Sequence, residues 1–103
     1  MRRTKVTFDS EKLQYSCELM RALAHPLRLR ILAFIDDHGT IHVNKIYNTL
    51  KLEQSITSQH LRILRLAGVV SAEKKGKYMT YSINYDVVSK ASNAVSNYVA
   101  VAS

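Results

Sequence analysis

The chain has 103 residues, one cysteine and a formal charge of +7, from fifteen Lys and Arg against eight Asp and Glu. It is the size of one domain and cannot form an internal disulfide, which excludes a disulfide-stapled secreted scaffold and points to a reducing compartment. The basic balance points to a polyanionic partner, nucleic acid or an anionic membrane surface, although a solubilising surface charge accounts for the same count.

The opening MRRTKVTFDS has charge but no following apolar run, so no signal peptide is expected. The longest uncharged tract, residues 91 to 103, is too short and too polar to span a bilayer. The expected location is the cytoplasm, with no membrane partner.

Residues 1 to 8 read as a loose basic arm carrying Arg2, Arg3 and Lys5. Asp9 or Ser10 caps a first helix over about 10–23. Its apolar stripe runs through Leu13, Cys17, Met20 and Ala24, with Leu19 and Leu23 beside them. Pro26 opens a second helix, whose apolar side is Leu27, Ile31, Leu32, Phe34 and Ile35 and whose end is Gly39. The short TIH at 40–42 leans towards strand. A third helix runs from about Val43 to Lys51 with Ile46, Tyr47 and Leu50 inward.

Only KLEQ separates it from a fourth helix, SITSQHLRILRLAG, which Gly68 terminates as C-cap. Two short helices joined so closely make a helix-turn-helix over 43–68. Val69 and Val70 then open one strand and Tyr78–Ile83 form another, with KKGK between them and Gly76 at the turn. This basic-tipped hairpin is a wing over 69–83. Asn84 caps a last helix over about 85–101, with Val88, Ala91, Val95 and Tyr98 on one stripe.

The fold class that follows is mainly α with a small β-hairpin, an α+β winged helix-turn-helix in one domain over 1–103. The two terminal helices are wide in apolar coverage and small in side chains. They are expected to pack against a second copy through Leu13, Cys17, Met20, Val88, Ala91, Val95 and Tyr98, making a homodimer. An intramolecular helix pair is the alternative.

The fourth helix carries the chemistry. Thr57, Leu61, Leu64 and Ala67 mark its inward face. Ser55, Ser58, Gln59 and Arg62 fall at i, i+3, i+4 and i+7 on the other side. No carboxylate occurs between Glu53 and Glu73. Glutamine pairs with adenine edges and arginine with guanine or phosphate, while a carboxylate there would be repelled by the phosphate backbone. That is the pattern of a helix entering the major groove of double-stranded DNA. Any exposed helix face is polar, so the preceding short helix and the following lysine-tipped hairpin carry much of the weight. Lys74, Lys75 and Lys77 at the tip are expected on phosphates, where they position the protein without specifying sequence. Tyr78 and Tyr81 read as strand-packing residues.

LAHPLRLRIL (23–32), SQHLRILRLAGVV (58–70) and KKGKYMTYSI (74–83) resemble the ArsR/SmtB family of transcriptional repressors, over about residues 10–100. The resemblance implies a dimer joined through its first and last helices, a palindromic operator, repression of nearby genes, and release by an inducer. It places Ser55, Ser58, Gln59, His60 and Arg62 near DNA, with His60 filling the family's helix histidine, whose alternative role is a bond within the domain. Many members sense thiophilic metals through a Cys-x-Cys pair at the third helix; here those positions fall on His42 and Asn44. Others bind zinc through Asp, His and Glu of paired last helices; here that helix has Asp86 and no histidine. Neither family metal site is expected, and no cofactor is implied. Cys17 reads as a small apolar stripe residue, with a Cys17-to-Cys17 bridge across the dimer as the alternative.

No glycine-rich phosphate loop or catalytically spaced carboxylate cluster appears, so no enzyme is expected. The competing reading from another class is a winged helix used for protein–protein contact without DNA.

Overall fold

The computed structural model describes residues 10–92. The basic arm, Asp9, Val95 and Tyr98 lie outside the described residues, as does the burial of Leu13. The elements run α1 Ser10–Leu23, α2 Pro26–His38, β1 Thr40–His42, α3 Val43–Leu50, α4 Gln54–Leu66, β2 Val70–Lys75 and β3 Tyr78–Ile83. A final helical stretch over 85–92, α5, follows.

Local chemistry explains the boundaries. His25 is extended, and its Nδ1 accepts from the Leu27 N–H at 3.1 Å, satisfying a free donor at the α2 N-terminus. Pro26 occupies the first turn, where its missing N–H costs nothing. Gly39 ends α2 with φ 77°. The turn into α4 is tighter: Lys51 takes the left-handed φ of 59°, and Leu52 N–H returns to the Tyr47 carbonyl at 2.9 Å.

Gly68 ends α4, but one residue later than a C-cap. Ala67 is the cap and stays right-handed, and Gly68 beyond it carries the φ of 82°. Gly68 N–H donates to Arg65 O and Val69 N–H to Leu64 O, the paired bonds of a Schellman motif. Leu64 and Val69, both fully buried, close its apolar contact.

The expected two-stranded hairpin is the larger part of a three-stranded antiparallel sheet, ordered β1-β3-β2. Ile41 faces Tyr81 across β1 and β3, and Ala72 faces Tyr81 across β2 and β3. Three residues of TIH suffice because β3 supplies a complete partner edge, and Ile41 buries its side chain there.

The core is Ile31 and Ile35 from α2, Ile46 from α3, Leu61 and Leu64 from α4, and Val69, all fully buried. The first helix corrects its expected stripe. Among its described side chains Leu19 and Ala22 are buried, with Met20 and Leu23 partly buried, while Cys17 and, just past its end, Ala24 are exposed. The helical repeat places Cys17 about 200° around the axis from Leu19, so both cannot face α2.

Asn84 also departs from expectation. Its carbonyl accepts the first bond of α5 from Val88, but its side chain does not cap. Instead Nδ2 donates to Gly68 O at 2.7 Å and Oδ1 accepts from Ser71 Oγ at 2.7 Å. The amide ties the start of α5 to the end of α4 and to β2. Asn84→Ala is expected to lower stability by about 1–2 kcal/mol in urea unfolding; an unchanged midpoint would show the tie to be idle.

Candidate nucleic-acid interface

Helix α4 is seated by Thr57, Leu61 and Leu64, all fully buried. Thr57 is a polar residue in the core, and its hydroxyl donates back to the Glu53 carbonyl at 2.9 Å, so burial leaves no unmet donor. With that face inward, Ser55, Ser58, Gln59 and Arg62 are all exposed. The rotation expected from the sequence is therefore the rotation found.

Two residues of α4 behave in ways the polar pattern did not disclose. Ile56 is 40% exposed beside Ser55, an apolar group suited to a thymine methyl. The signal was a β-branched residue on the polar side of the helix, against the binary pattern. His60 is half-buried and turned towards α2. Its Nδ1 accepts from Arg28 Nε at 3.2 Å, and its ring lies 4.7 Å from that of His25. Burial first, then the charges of His25 and Arg28, hold this imidazole below the ordinary histidine value.

The first turn of α4 holds no acidic residue, and the N-cap Glu53, an exposed carboxylate, makes no side-chain bond to the leading N–H groups. Those donors and the positive end of the helix dipole suit a phosphate.

Lys74, Lys75 and Lys77 are exposed at the β2–β3 turn, where Gly76 takes φ 62°. Lys77 Nζ sits 5.8 Å from the Tyr78 ring centroid. Tyr78, 41% exposed, stacks on His42 with centroids 4.9 Å apart, whereas Tyr81 packs against the core. The Tyr78–His42 stack fastens the tip-side end of β3, next to the wing's lysines, to the end of β1. The exposed faces of α4 and the wing tip thus carry hydroxyls, an amide and cations.

His42 and Asn44 stand where a Cys-x-Cys pair would hold a thiophilic metal, and His42 is engaged with Tyr78. Among the described residues no group of three or more His, Cys, Asp or Glu side chains converges to hold a metal ion. Neither His42 nor Asn44 supplies the thiolate of a Cys-x-Cys metal pair.

Residues 25–72 match the bacterial regulatory proteins of the arsR family. An HTH-type transcriptional regulator of Methanocaldococcus jannaschii is 40% identical over 78 residues, spanning 76% of this chain and 88% of that protein. The chain belongs to the arsR family. The transcriptional repressor PagR of Bacillus anthracis is 37% identical over 82 residues, 75% of this chain and 82% of its own. Its crystal structure aligns with a TM-score of 0.66, covering 74% of this chain and 86% of PagR. NolR from Sinorhizobium fredii, 29% identical, aligns with a TM-score of 0.74 over 93% of this chain and 96% of its own. As an arsR-family protein with a winged helix-turn-helix, the chain is a DNA-binding transcriptional regulator and not an enzyme.

Proposed function

We propose that two copies of this chain bind an inverted-repeat operator in duplex DNA, repress the adjacent genes, and let go in response to a signal. One observation carries the reading: an acid-free exposed face on α4, bearing Ser55, Ser58, Gln59 and Arg62, beside a wing tipped by three lysines. Gln59 and Arg62 read base edges, Ser55 and Ser58 bond phosphate or base, and Lys74, Lys75 and Lys77 hold the backbone. Through the relatives, repression is supported by PagR, a transcriptional repressor.

The dimer is supported by an apolar groove of about 510 Å³ between α1, α2 and α5. Met20, Val88 and Ala91 line it, together with Leu29, which is 52% exposed. A second copy placed along α1 and α5 would cover it and set two α4 helices at a fixed separation. No described helix is long and apolar enough to cross a membrane, and the working compartment we assign is the cytoplasm. The effector we assign is a signal other than a metal held at His42 and Asn44.

Selection of bound sequences from random duplex DNA tests this. The expected product is an inverted repeat with half-sites about one helical turn, ~10–10.5 bp, or a multiple of it apart, bound by two chains per duplex. A monomeric chain at working concentration, or indifference to every inverted repeat, would sink the proposal. Lys75→Ala and Lys77→Ala are each expected to weaken binding to all duplexes and to reduce the slope of log affinity against log salt by about one unit. An unchanged slope would remove the wing from the phosphate contacts.

A further inference from the structure

The sequence motifs around His25, Arg28 and His60 meet where α1, α2 and α4 converge. Arg28 is half-buried, and its guanidinium is bonded to other elements of the domain. Its Nη1 donates to the carbonyls of Arg21 and Ala22, each at 3.1 Å, and its Nε donates to His60 Nδ1 at 3.2 Å. Those two carbonyls belong to the last turn of α1, and His60 belongs to α4. One planar cation therefore spans the helix assigned above to the dimer contact and the helix carrying the DNA-facing residues.

We propose that Arg28 is a positioning residue for operator recognition: it sets α4 against α1 through a neutral His60, and protonation at His60 releases that bond. The inference rests on the operator-binding reading above.

The chemistry is one of acceptor loss. An imidazole that accepts at Nδ1 carries its proton on Nε2, and imidazolium has no acceptor left. A proton on His60 therefore replaces a hydrogen bond with a donor facing a guanidinium. His25 stands against the same ring, at 4.7 Å with a 56° tilt, and uses its own Nδ1 to cap α2. The ionisable groups at the junction include His25, the N-cap of α2, Arg28 of α2 and, from α1, Glu18 and Arg21, which line the adjoining cleft with Arg28. Arg62 of α4 is exposed. Cations outnumber the one carboxylate in this set.

The sign follows from the lowered pKa of His60, caused first by burial and then by His25 and Arg28. Above the ordinary value of 6.5 the ring is neutral in folded and unfolded chains alike. As pH falls through that value the unfolded chain takes up a proton before the folded one does. The bonded form is thus favoured at neutral pH and loses ground on acidification. Lysine cannot substitute for Arg28, because a single ammonium does not present a planar fork to three acceptors on two helices.

The test uses the duplex recovered by selection beside a random duplex of equal length, from about pH 8 down through the His60 midpoint read by NMR. On acidification the wild-type preference for the selected duplex over the random one is expected to fall about tenfold, whereas a general gain of positive charge would strengthen both. His60→Asn places an amide oxygen near the former Nδ1 and takes no proton. Its preference is expected to be independent of pH, whatever its absolute affinity. Arg28→Lys keeps the charge and is expected to lose about tenfold in preference at neutral pH with an unchanged salt slope. An acid step that persists in His60→Asn, or wild-type preference in Arg28→Lys, would overturn the proposal.

A DNA-free measurement decides the junction separately. Titration of the His60 ring followed by NMR is expected to have its midpoint below 6.5 in the wild type, rising in Arg28→Lys. A wild-type midpoint at or above the ordinary value overturns the junction. Failure of the wild type to bind any duplex overturns the operator reading instead.

Discussion

Leu61→Ala is expected to destabilise the chain by about 2–5 kcal/mol in urea unfolding at fixed protein concentration. Leu61 is fully buried and sits with Leu64, Ile31, Ile35 and Ile46 in the core. Removing its branched end deletes the transfer free energy of the lost carbons and leaves a cavity between α4 and its supports. Total stability of a domain this size is about 5–15 kcal/mol, so the loss takes a large share. The helix affected is the one that must hold its exposed face at a fixed angle. A loss below about 1 kcal/mol would mean that α4 is not seated by this residue.

Arg62→Ala and Gln59→Ala, on the same helix, are expected to do the reverse. Both side chains are exposed, so the unfolding midpoint should stay put. Specific DNA affinity should fall by about 1–3 kcal/mol for each, roughly fivefold to 150-fold, because a lost base contact leaves a groove donor or acceptor unmatched. Random-duplex affinity should change little for Gln59→Ala and fall modestly for Arg62→Ala, which also removes a charge. Electrophoretic mobility or fluorescence anisotropy on the selected duplex reads the difference. Unchanged specific affinity in Arg62→Ala would assign the groove face to another side of the helix, with Ile56 next in line.

Together the substitutions separate two jobs within one turn of helix. Leu61 holds the helix and Arg62 faces outward, and neighbours on a helix point about 100° apart.

Much of this molecule is legible in local chemistry. The order of elements follows from Pro26 as a helix opener, Gly39 and Gly68 as terminators, KKGK as a hairpin tip and the three-to-four-residue spacing of apolar side chains. These signals act over a few residues, so they survive without knowledge of the fold. The inward face of α4 was legible for the same reason: Thr57, Leu61 and Leu64 repeat at helical spacing. The helix-turn-helix, the wing and an acid-free exposed face are therefore properties of the sequence itself.

What only the tertiary structure decided is how long-range partners share their groups. TIH could not announce that β3 would receive it, because strand pairing is settled by a segment forty residues away. The first helix offers several apolar stripes, and the folded domain buries the one through Leu19 and Ala22, leaving Cys17 outside. Asn84 had a local use as a cap, but Gly68 O and Ser71 Oγ are competing partners that only the folded chain brings near. His60 has two uses open to it in the sequence, a place near DNA and a bond within the domain, and Arg28, thirty-two positions earlier, engages its Nδ1 in the second. Periodicity tells which side of a helix is apolar; which polar group meets which depends on contacts that exist only once the chain has closed on itself.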